Sequence, residues 1–396
     1  MSTKAVITGW GKCIPPVELT NADLEKLSDT NDQWIIDRTG IKSRRISHVD
    51  GTDLAELAGR RALAAAGLDP EELDLILVAS TTPDLICPSV AAMVQDRLGA
   101  VNSAAFDLNA ACSGFVYATA NAAGMIESGF VKKVLVIGAE KLSGVMDYRD
   151  RSTSVLFGDG AGAVVYEASE EDAGVLAVDL GADGGKGQTM VLKSMGTNGN
   201  VFESLLAEEM ALHFEGQAVF KIAVQGIAAS VTRVLETAGF ESEEVDVVIP
   251  HQANARIVDA ATRLLKLDES KVFMNIDTLG NTGAASIPMA ISDALDADQI
   301  SPGDIIVLSA FGGGVTWGSI VLKWGERTER LERHEGELPP TDATVFDLIE
   351  PNLRFFAELH GLDPEDLSEL IRVLALYFIS WNFFFFVDHL FWETGG

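Results

Sequence analysis

Four short segments carry residue types suited to attack on a carbonyl. Cys112 lies in Ala110-Ala111-Cys112-Ser113-Gly114, after an apolar strand-like run and before a helical one. A helix N-terminus offers free N–H groups and partial positive charge, and both favour a thiolate. Against this, free cysteine is among the most buried and inert residue types. Cys13 and Cys87 lack the turn-to-helix setting and read as inert. His251, one of six histidines, ends a strand-like run in Pro250-His251-Gln252-Ala253-Asn254. Ligands of α/β proteins gather at such strand ends, although a structural histidine fits as well. Asn281, in Gly280-Asn281-Thr282-Gly283, can by itself be a plain turn. Phe311-Gly312-Gly313-Gly314 closes another apolar run, and consecutive glycines let backbone N–H groups face a ligand as an oxyanion hole requires. Gly158-Asp159-Gly160-Ala161-Gly162 lacks the Lys-Ser/Thr of a phosphate loop and reads as a tight packing turn.

These segments need elements to hold them. Strand-like runs alternate with helical stretches from residue 1 to about 325, the pattern of α/β layers. A weak repeat runs through it. Leu75–Ser80 follows EELD, and Val247–Gln252 follows EEVD in the same way. AFDLNAACSGFVYA then stands beside VFMNIDTLGNTGAASIPMA, and VLVIGAE beside IIVLSAFGGG. Leu75 to Cys112 is 37 residues and Val247 to Asn281 is 34; the next intervals, to Val134 and Ile305, are 22 and 24. Two similar halves, 1–172 and 173–325, would set Cys112 and Asn281 at equivalent turns facing a shared interface.

Composition narrows the class. A chain of 396 residues, 47% hydrophobic with 37 Gly and 12 Pro, suits a compact α/β protein. Three cysteines without a CxxC give neither a disulfide framework nor a zinc site, so a reducing, cytoplasmic setting is expected. MSTKAVITGWGKCIPP has no long apolar stretch of the kind a signal peptide needs. The net charge of −30 disfavours nucleic acid and anionic membrane surfaces. An acidic partner would need a local basic patch.

Residues 326–396 break the pattern. ERTERLERHEGELPP is a charged linker whose ERLERHEGE part has helical character. Two helices follow, with Thr341 and Asp363 as N-cap candidates. Val373–Val387 is apolar except for Ser380 and Asn382, but its 15 residues are too few to span a bilayer. A helix packed on the body is the first expectation, and an interfacial membrane segment the second.

Taken together, DQWIIDRTGI (32–41), AACSGF, FGDGAGA, PHQAN, GNTGAAS and FGGGVTWG resemble the beta-ketoacyl-acyl-carrier-protein synthase III family of thiolase-like condensing enzymes. The resemblance covers residues 1 to about 325. It implies a duplicated five-layered αβαβα fold and a homodimer, with no metal or redox cofactor. It also implies decarboxylative condensation of an acyl-CoA starter with malonyl-acyl carrier protein. Cys112 would take the acyl group, and His251 and Asn281 would bond the malonyl thioester oxygen. The backbone N–H groups of Cys112 and Gly313 would hold the oxyanion.

By the same resemblance, Trp34 and Arg151 would sandwich the CoA adenine with Arg38 nearby. Asn254 would touch the pantetheine arm, and Phe157 and Phe220 would line the channel. Lys221, Arg256 and Arg263 would meet acyl carrier protein. Cys87 stands where the family often places a bulky aromatic that reaches across the dimer, which suggests room for more than acetyl. Residues 326–396 have no counterpart in the pattern. Three other readings stay open: a condensing or acyl-transferring relative of secondary metabolism, a Cys-His-Asn hydrolase, and a scaffold without activity.

Overall fold

The computed structural model describes residues 3–192 and 212–359. The first sheet holds β1 (Lys4–Cys13), β4 (Leu75–Ala79), β5 (Ala104–Leu108), β6 (Lys133–Glu140) and β7 (Gly160–Ser169), in the order β1-β7-β6-β4-β5. The second holds β8 (Gly174–Ala182), β11 (Val247–Pro250), β12 (Ile305–Gly312) and β13 (Thr316–Lys323), in the order β11-β12-β13-β8. Val248 also forms a parallel bridge to Val272, so the segment at 272 stands where β5 stands in the first sheet. Read from the opposite edge, the two orders correspond strand for strand. The chain passes from one sheet to the other between Ser169 and Gly174.

Strand residues alternate between two faces, and each face finds its own helices. Leu75, Leu77, Val134 and Val136 join Ile306 and Leu308 in a central layer. That layer is filled by α5 (Gly114–Glu127) and α9 (Ser286–Asp296), through Phe115, Ala118, Ile287 and Ile291. Ile76, Val78, Leu135 and Ile137 face the other way, onto α3 (Gly51–Ala66) and α4 (Val90–Leu98). Val248, Val307 and Val321 meet α6 (Gly216–Ala238) and α7 (Ala255–Leu265) on the far side. The result is five layers, αβαβα. Among the described residues α6 is long and apolar enough to cross a membrane, yet here its Val219, Ala223, Ile227 and Val231 are packed on the second sheet.

The EELD/EEVD repeat has a physical cause. Asp74 accepts from the N–H groups of Lys132 and Lys133 at the start of β6. Asp246 accepts from Ile305 N–H at the start of β12. Each aspartate thus registers a central strand against its neighbour. Upstream, α3 and α6 both end on a left-handed glycine, Gly67 and Gly239, and a short 3₁₀ turn follows each. In the GDGAG segment, a Cβ at Gly162 would lie 2.5 Å from Met289 N, so the glycine lets β7 press against α9. This is packing, as its composition suggests.

A cap covers one end of the layers. It contains the hairpin β2 (Val17–Thr20)–β3 (Ser43–Ile46), α1 (Asn21–Leu24) and α2 (Asp32–Thr39). The two-residue strands β9 (Met190–Val191) and β10 (His213–Phe214) pair nearby, and α8 (Ile276–Leu279) supplies Ile276 to the cap's apolar core.

The tail differs from two expectations. ERLERHEGE is not helical: Leu331 and Glu332 donate their N–H groups to Ala65 O and Ala64 O, so this irregular strap is tied to the end of α3. The following helix, α10 (Val345–Leu359), is capped by Thr344 and not by Thr341. Thr344 Oγ1 accepts from Asp347 N–H, and Asp347 accepts in return from Thr344 N–H, a reciprocal capping box. The Val373–Val387 segment and Asp363 lie outside the described residues.

Candidate active site

Cys112, His251 and Asn281 line one cavity of about 460 Å³. Each follows the C-terminal end of a strand or its equivalent: β5, β11 and the segment beyond Val272. Cys112 occupies a sharp elbow at the entry to α5. The residue before it, Ala111, has a positive φ of 49°, a conformation that costs a non-glycine residue roughly 1–3 kcal/mol. Thr316 holds this elbow against the glycine segment. Its Oγ1 lies 2.9 Å from Ala110 O and 3.2 Å from Gly313 O, while Ser113 Oγ donates to Thr316 O. A Cβ at Gly312 would sit 2.8 Å from Cys112 N and 2.9 Å from Ser113 N. Only glycine lets the two backbones approach so closely, which brings Gly313 beside the Cys112 elbow.

Cys112 touches the cavity but is otherwise enclosed by protein, and this desolvation pushes its pKa up to about 12. The Glu140 carboxylate pushes the same way, and the residue's own N–H pulls against both. Burial is the largest of these effects, and it favours the thiol over the thiolate. Glu140 is itself buried, and desolvation raises it to about 7 against hydrogen bonds from Thr82, Thr81 and Ala284 N–H. Thr82 Oγ1 donates at 2.7 Å, and Thr81 donates through both its hydroxyl and its N–H. This carboxylate joins the end of β6 to the loop after β4 and to the turn that opens α9.

His251 is 3% exposed, and burial lowers its pKa to about 3, so the imidazole is neutral. Its Nδ1 lies 2.7 Å from Ser286 Oγ at the first turn of α9. Ser286 Oγ also accepts from Gln252 N–H at 3.4 Å. Gln252 N–H can only donate, so of these two partners Nδ1 alone can accept the Ser286 hydroxyl hydrogen, and the arrangement that uses it puts the imidazole proton on Nε2. Gln252 bonds Pro250 O, Phe273 O and Asn275 N–H, fixing the end of β11. Asn281 is held by its own backbone, with N–H to Leu156 O at 2.8 Å and its carbonyl accepting from Gly158 N–H at 3.0 Å. Its Oδ1 accepts from Gly283 N–H at 2.9 Å, which orients the amide. The Nδ2 group reaches Ala253 O only at 3.5 Å and has a second hydrogen to offer. Two neutral donors therefore face one cavity, an arrangement that favours negative charge developing on an oxygen between them.

The same cavity is also lined by Trp34, Arg38, Arg151, Phe157, Phe220, Asn254 and Arg256. The Arg151 and Arg38 guanidinium carbons lie 5.2 and 5.3 Å from the Trp34 ring centroid. A base slotted between Trp34 and Arg151 needs about 7 Å, twice a van der Waals contact, so Arg151 has to retreat. Asn254 caps α7 through Arg256 N–H and donates to Arg38 O, so its carboxamide is already engaged. Arg256 stacks over Phe220 at 5.9 Å. Lys221, Arg256 and Arg263 are exposed on α6 and α7. Cys87 is exposed, precedes a cis proline and lines no described cavity of its own chain. A second cavity, about 520 Å³, meets the first at Cys112, Phe157 and Met190 and is walled in part by Leu142, Val145 and Met146.

Two functional groups escaped the reading of the sequence. Ser286 sits inside the GNTGAAS motif, but its bond to His251 depends on how α9 packs. Glu140 carries a visible signal: it is the acidic end of an otherwise apolar run, VLVIGAE.

Comparison with known proteins points one way. The profile described as 3-Oxoacyl-[acyl-carrier-protein (ACP)] synthase III matches residues 106–184, and that of its C-terminal part matches 235–324. A Vibrio cholerae beta-ketoacyl-[acyl-carrier-protein] synthase III 2 is 45% identical over 345 residues, 87% of this chain and 95% of that protein. That stretch is longer than residues 1–325, so part of the tail does have a counterpart among relatives, contrary to expectation. The crystal structure of 3-oxoacyl-[acyl-carrier-protein] synthase III from Aquifex aeolicus is 46% identical with a TM-score of 0.76. It covers 81% of this chain and 100% of the other. The priming beta-ketosynthase of the R1128 polyketide pathway is 33% identical with a TM-score of 0.78, over 82% and 97% of the two chains.

Proposed function

Because the chain belongs to the beta-ketoacyl-acyl-carrier-protein synthase III family of condensing acyltransferases, we propose that Cys112 is its nucleophile, with His251 and Asn281 as donors to the enolate. The overall reaction joins an acyl-CoA starter to malonyl-acyl carrier protein and opens fatty acid synthesis. What supports the assignment is that the three side chains line one cavity, two of them neutral and preset as donors.

In the first half-reaction the acyl-CoA pantetheine arm runs past Phe157 and Phe220, with the adenine between Trp34 and Arg151 near Arg38. Asn254 lies along the arm. The Cys112 sulfur attacks the thioester carbonyl, and the N–H groups of Cys112 and Gly313 hold the resulting oxyanion. When the carbon–sulfur bond to CoA breaks, the thiol's proton leaves with the CoA sulfur. In the second half-reaction malonyl-carrier protein docks on Lys221, Arg256 and Arg263, the local basic patch that a chain of net charge −30 needs for an acidic partner. Carbon dioxide departs, and its bonding pair passes to the thioester enolate, whose oxygen accepts from His251 Nε2–H and Asn281 Nδ2–H. The carbanion attacks the acyl-Cys112 carbonyl, and collapse expels the Cys112 thiolate, which regains a proton. Each such donor is worth roughly 3–4 kcal/mol in a site closed to water. The working unit is a cytoplasmic homodimer in which Cys87 reaches toward the partner's acyl pocket, its small side chain leaving room for starters longer than acetyl. The likeness to a priming ketosynthase of a polyketide pathway favours, as the second reading, a starter or acceptor of secondary metabolism.

Intact-protein mass spectrometry across a series of acyl-CoA starters tests the assignment. Wild type gains the acyl mass and Cys112→Ser does not, while His251→Ala and Asn281→Ala still acylate but lose condensation by about 100-fold or more. An adduct retained in Cys112→Ser, at Cys13 or Cys87, would overturn the assignment of the nucleophile.

A further inference from the structure

The turn after β6, Leu142–Met146, has two sides. One side forms the wall of the second cavity through Leu142, Val145 and Met146. From the start of β7, Asp159 accepts from Ser143 N–H at 2.8 Å and from Ser143 Oγ at 2.6 Å. From outside comes the tail. Asn352 Nδ2, on α10, donates to Ser143 O at 2.9 Å and to Met146 O at 3.2 Å. One amide therefore spans the two ends of the turn and fixes its width. Beside it Ile349 and Leu353, each 1% exposed, lie on one stripe of α10 and pack in the same apolar core as Leu142, Met146 and Phe157. The 3₁₀ turn has few backbone bonds of its own, so its position depends on what grips it from both sides.

We propose that Asn352 is a specificity-determining positioning residue: with α10 it clamps the Leu142–Met146 wall and so sets the depth available to the starter acyl chain. The inference rests on the reading that Cys112 is acylated and that the chain enters the second cavity. It adds that the tail, remote from Cys112 in sequence, selects the starter. Removing the clamp lets the wall retreat, which favours long starters over short ones. In an apolar pocket one methylene is worth roughly ten- to 200-fold, so a small retreat changes the preference measurably.

The test uses the full chain. Rates of Cys112 acylation by acetyl-, butyryl- and octanoyl-CoA are compared for wild type, Asn352→Ala, Asn352→Asp and Asn352→Gln. The expected result is that the octanoyl-to-acetyl ratio rises by about tenfold in the alanine and aspartate variants and is restored by glutamine, which keeps the donor. A ratio that stays constant or falls, or an equal loss for every starter, overturns the proposal. A second measurement needs no variant. Octanoyl loading of wild-type Cys112 should change amide hydrogen exchange in 349–357, and acetyl loading should not, because coupling between wall and helix is reciprocal. Identical exchange in both loaded forms counts against the clamp. Should wild type acquire no acyl group on Cys112, the functional assignment fails first; acylation without a shift in ratio defeats only this inference.

Discussion

Replacing Ser286 by alanine separates orientation from chemistry at His251. The hydroxyl is 2% exposed and stands 2.7 Å from Nδ1, so nothing in the crowded turn of α9 is free to replace it. Its loss leaves a buried ring nitrogen without a partner, at a cost of about 1–3 kcal/mol. It also removes the reason for the proton to reside on Nε2, the position that faces the cavity when Nδ1 is tied to α9. If the whole of that cost falls on the transition state for condensation, 1.36 kcal/mol per decade converts it to roughly five- to 150-fold in rate. Acylation of Cys112, which needs the Cys112 and Gly313 N–H groups instead, should be nearly unchanged. The assay measures the acyl adduct by intact mass and the condensed product on carrier protein from the same preparation, with melting temperature as a control on folding. Unchanged condensation in a folded Ser286→Ala enzyme would refute the reasoning. So would an equal fall in both half-reactions, which would make the hydroxyl a packing group only.

Two further substitutions probe the nucleophile's surroundings. Glu140 holds the thiol pKa up, so Glu140→Gln should move the pH profile of Cys112 alkylation to lower pH; an unmoved profile would remove the carboxylate from the account. Glu140 is itself raised from 4.5 to about 7, so the folded state favours its protonated form. Its contribution to stability is full below about 4.5 and is lost as pH rises through about 7, and the melting temperature of wild type should fall across that window more steeply than that of Glu140→Gln. Gly312→Ala would drive a methyl into the backbone nitrogens of Cys112 and Ser113. Both half-reactions should fall by about 100-fold or more as the oxyanion donors separate, and an alanine variant that acylates at the wild-type rate would show that the close approach is unnecessary.

The catalytic candidates were legible because their side chains are chemically unusual in their settings: a cysteine on a small-residue turn, a histidine and an asparagine at strand ends. The repeat was legible because Asp74 and Asp246 perform one structural task twice and therefore recur at matched spacing. Ser286 was not, since a serine near a helix start has many uses and only the packing of α9 beneath β11 selects this one. The depth of Cys112 was not legible for a related reason. Spacing reveals the helix N-terminus that lowers a thiol pKa, but depth of burial, which raises it further, is a property of five packed layers. At the tail, Thr341 and Thr344 both precede the helix, and the T-x-x-D spacing of Thr344 to Asp347 would have chosen correctly. The helical propensity of ERLERHEGE yields to the carbonyls at the end of α3, Ala65 O and Ala64 O, to which Leu331 and Glu332 donate.

The duplication also explains why the two halves cannot share the chemistry equally. Aligned through their pairing with β4 and β11, the central strands place Val134 and Ile306 in equivalent positions. Followed to their ends, β6 and β12 then set Glu140 opposite Gly312. One half closes its strand with a carboxylate that gathers Thr81, Thr82 and the turn before α9, and so supports the neighbourhood of Asn281. The other closes with no side chain at all, so the backbone reaches Cys112 N. A glycine in place of Glu140 would leave the Asn281 turn unsupported, and a carboxylate in place of Gly312 would set a negative charge where the proposed oxyanion is to be held. Each strand end therefore excludes the residue that the other requires. The symmetry of the fold brings the two ends together, and the difference between them makes one end a side-chain support and the other a close backbone approach to Cys112, as the proposed oxyanion site requires.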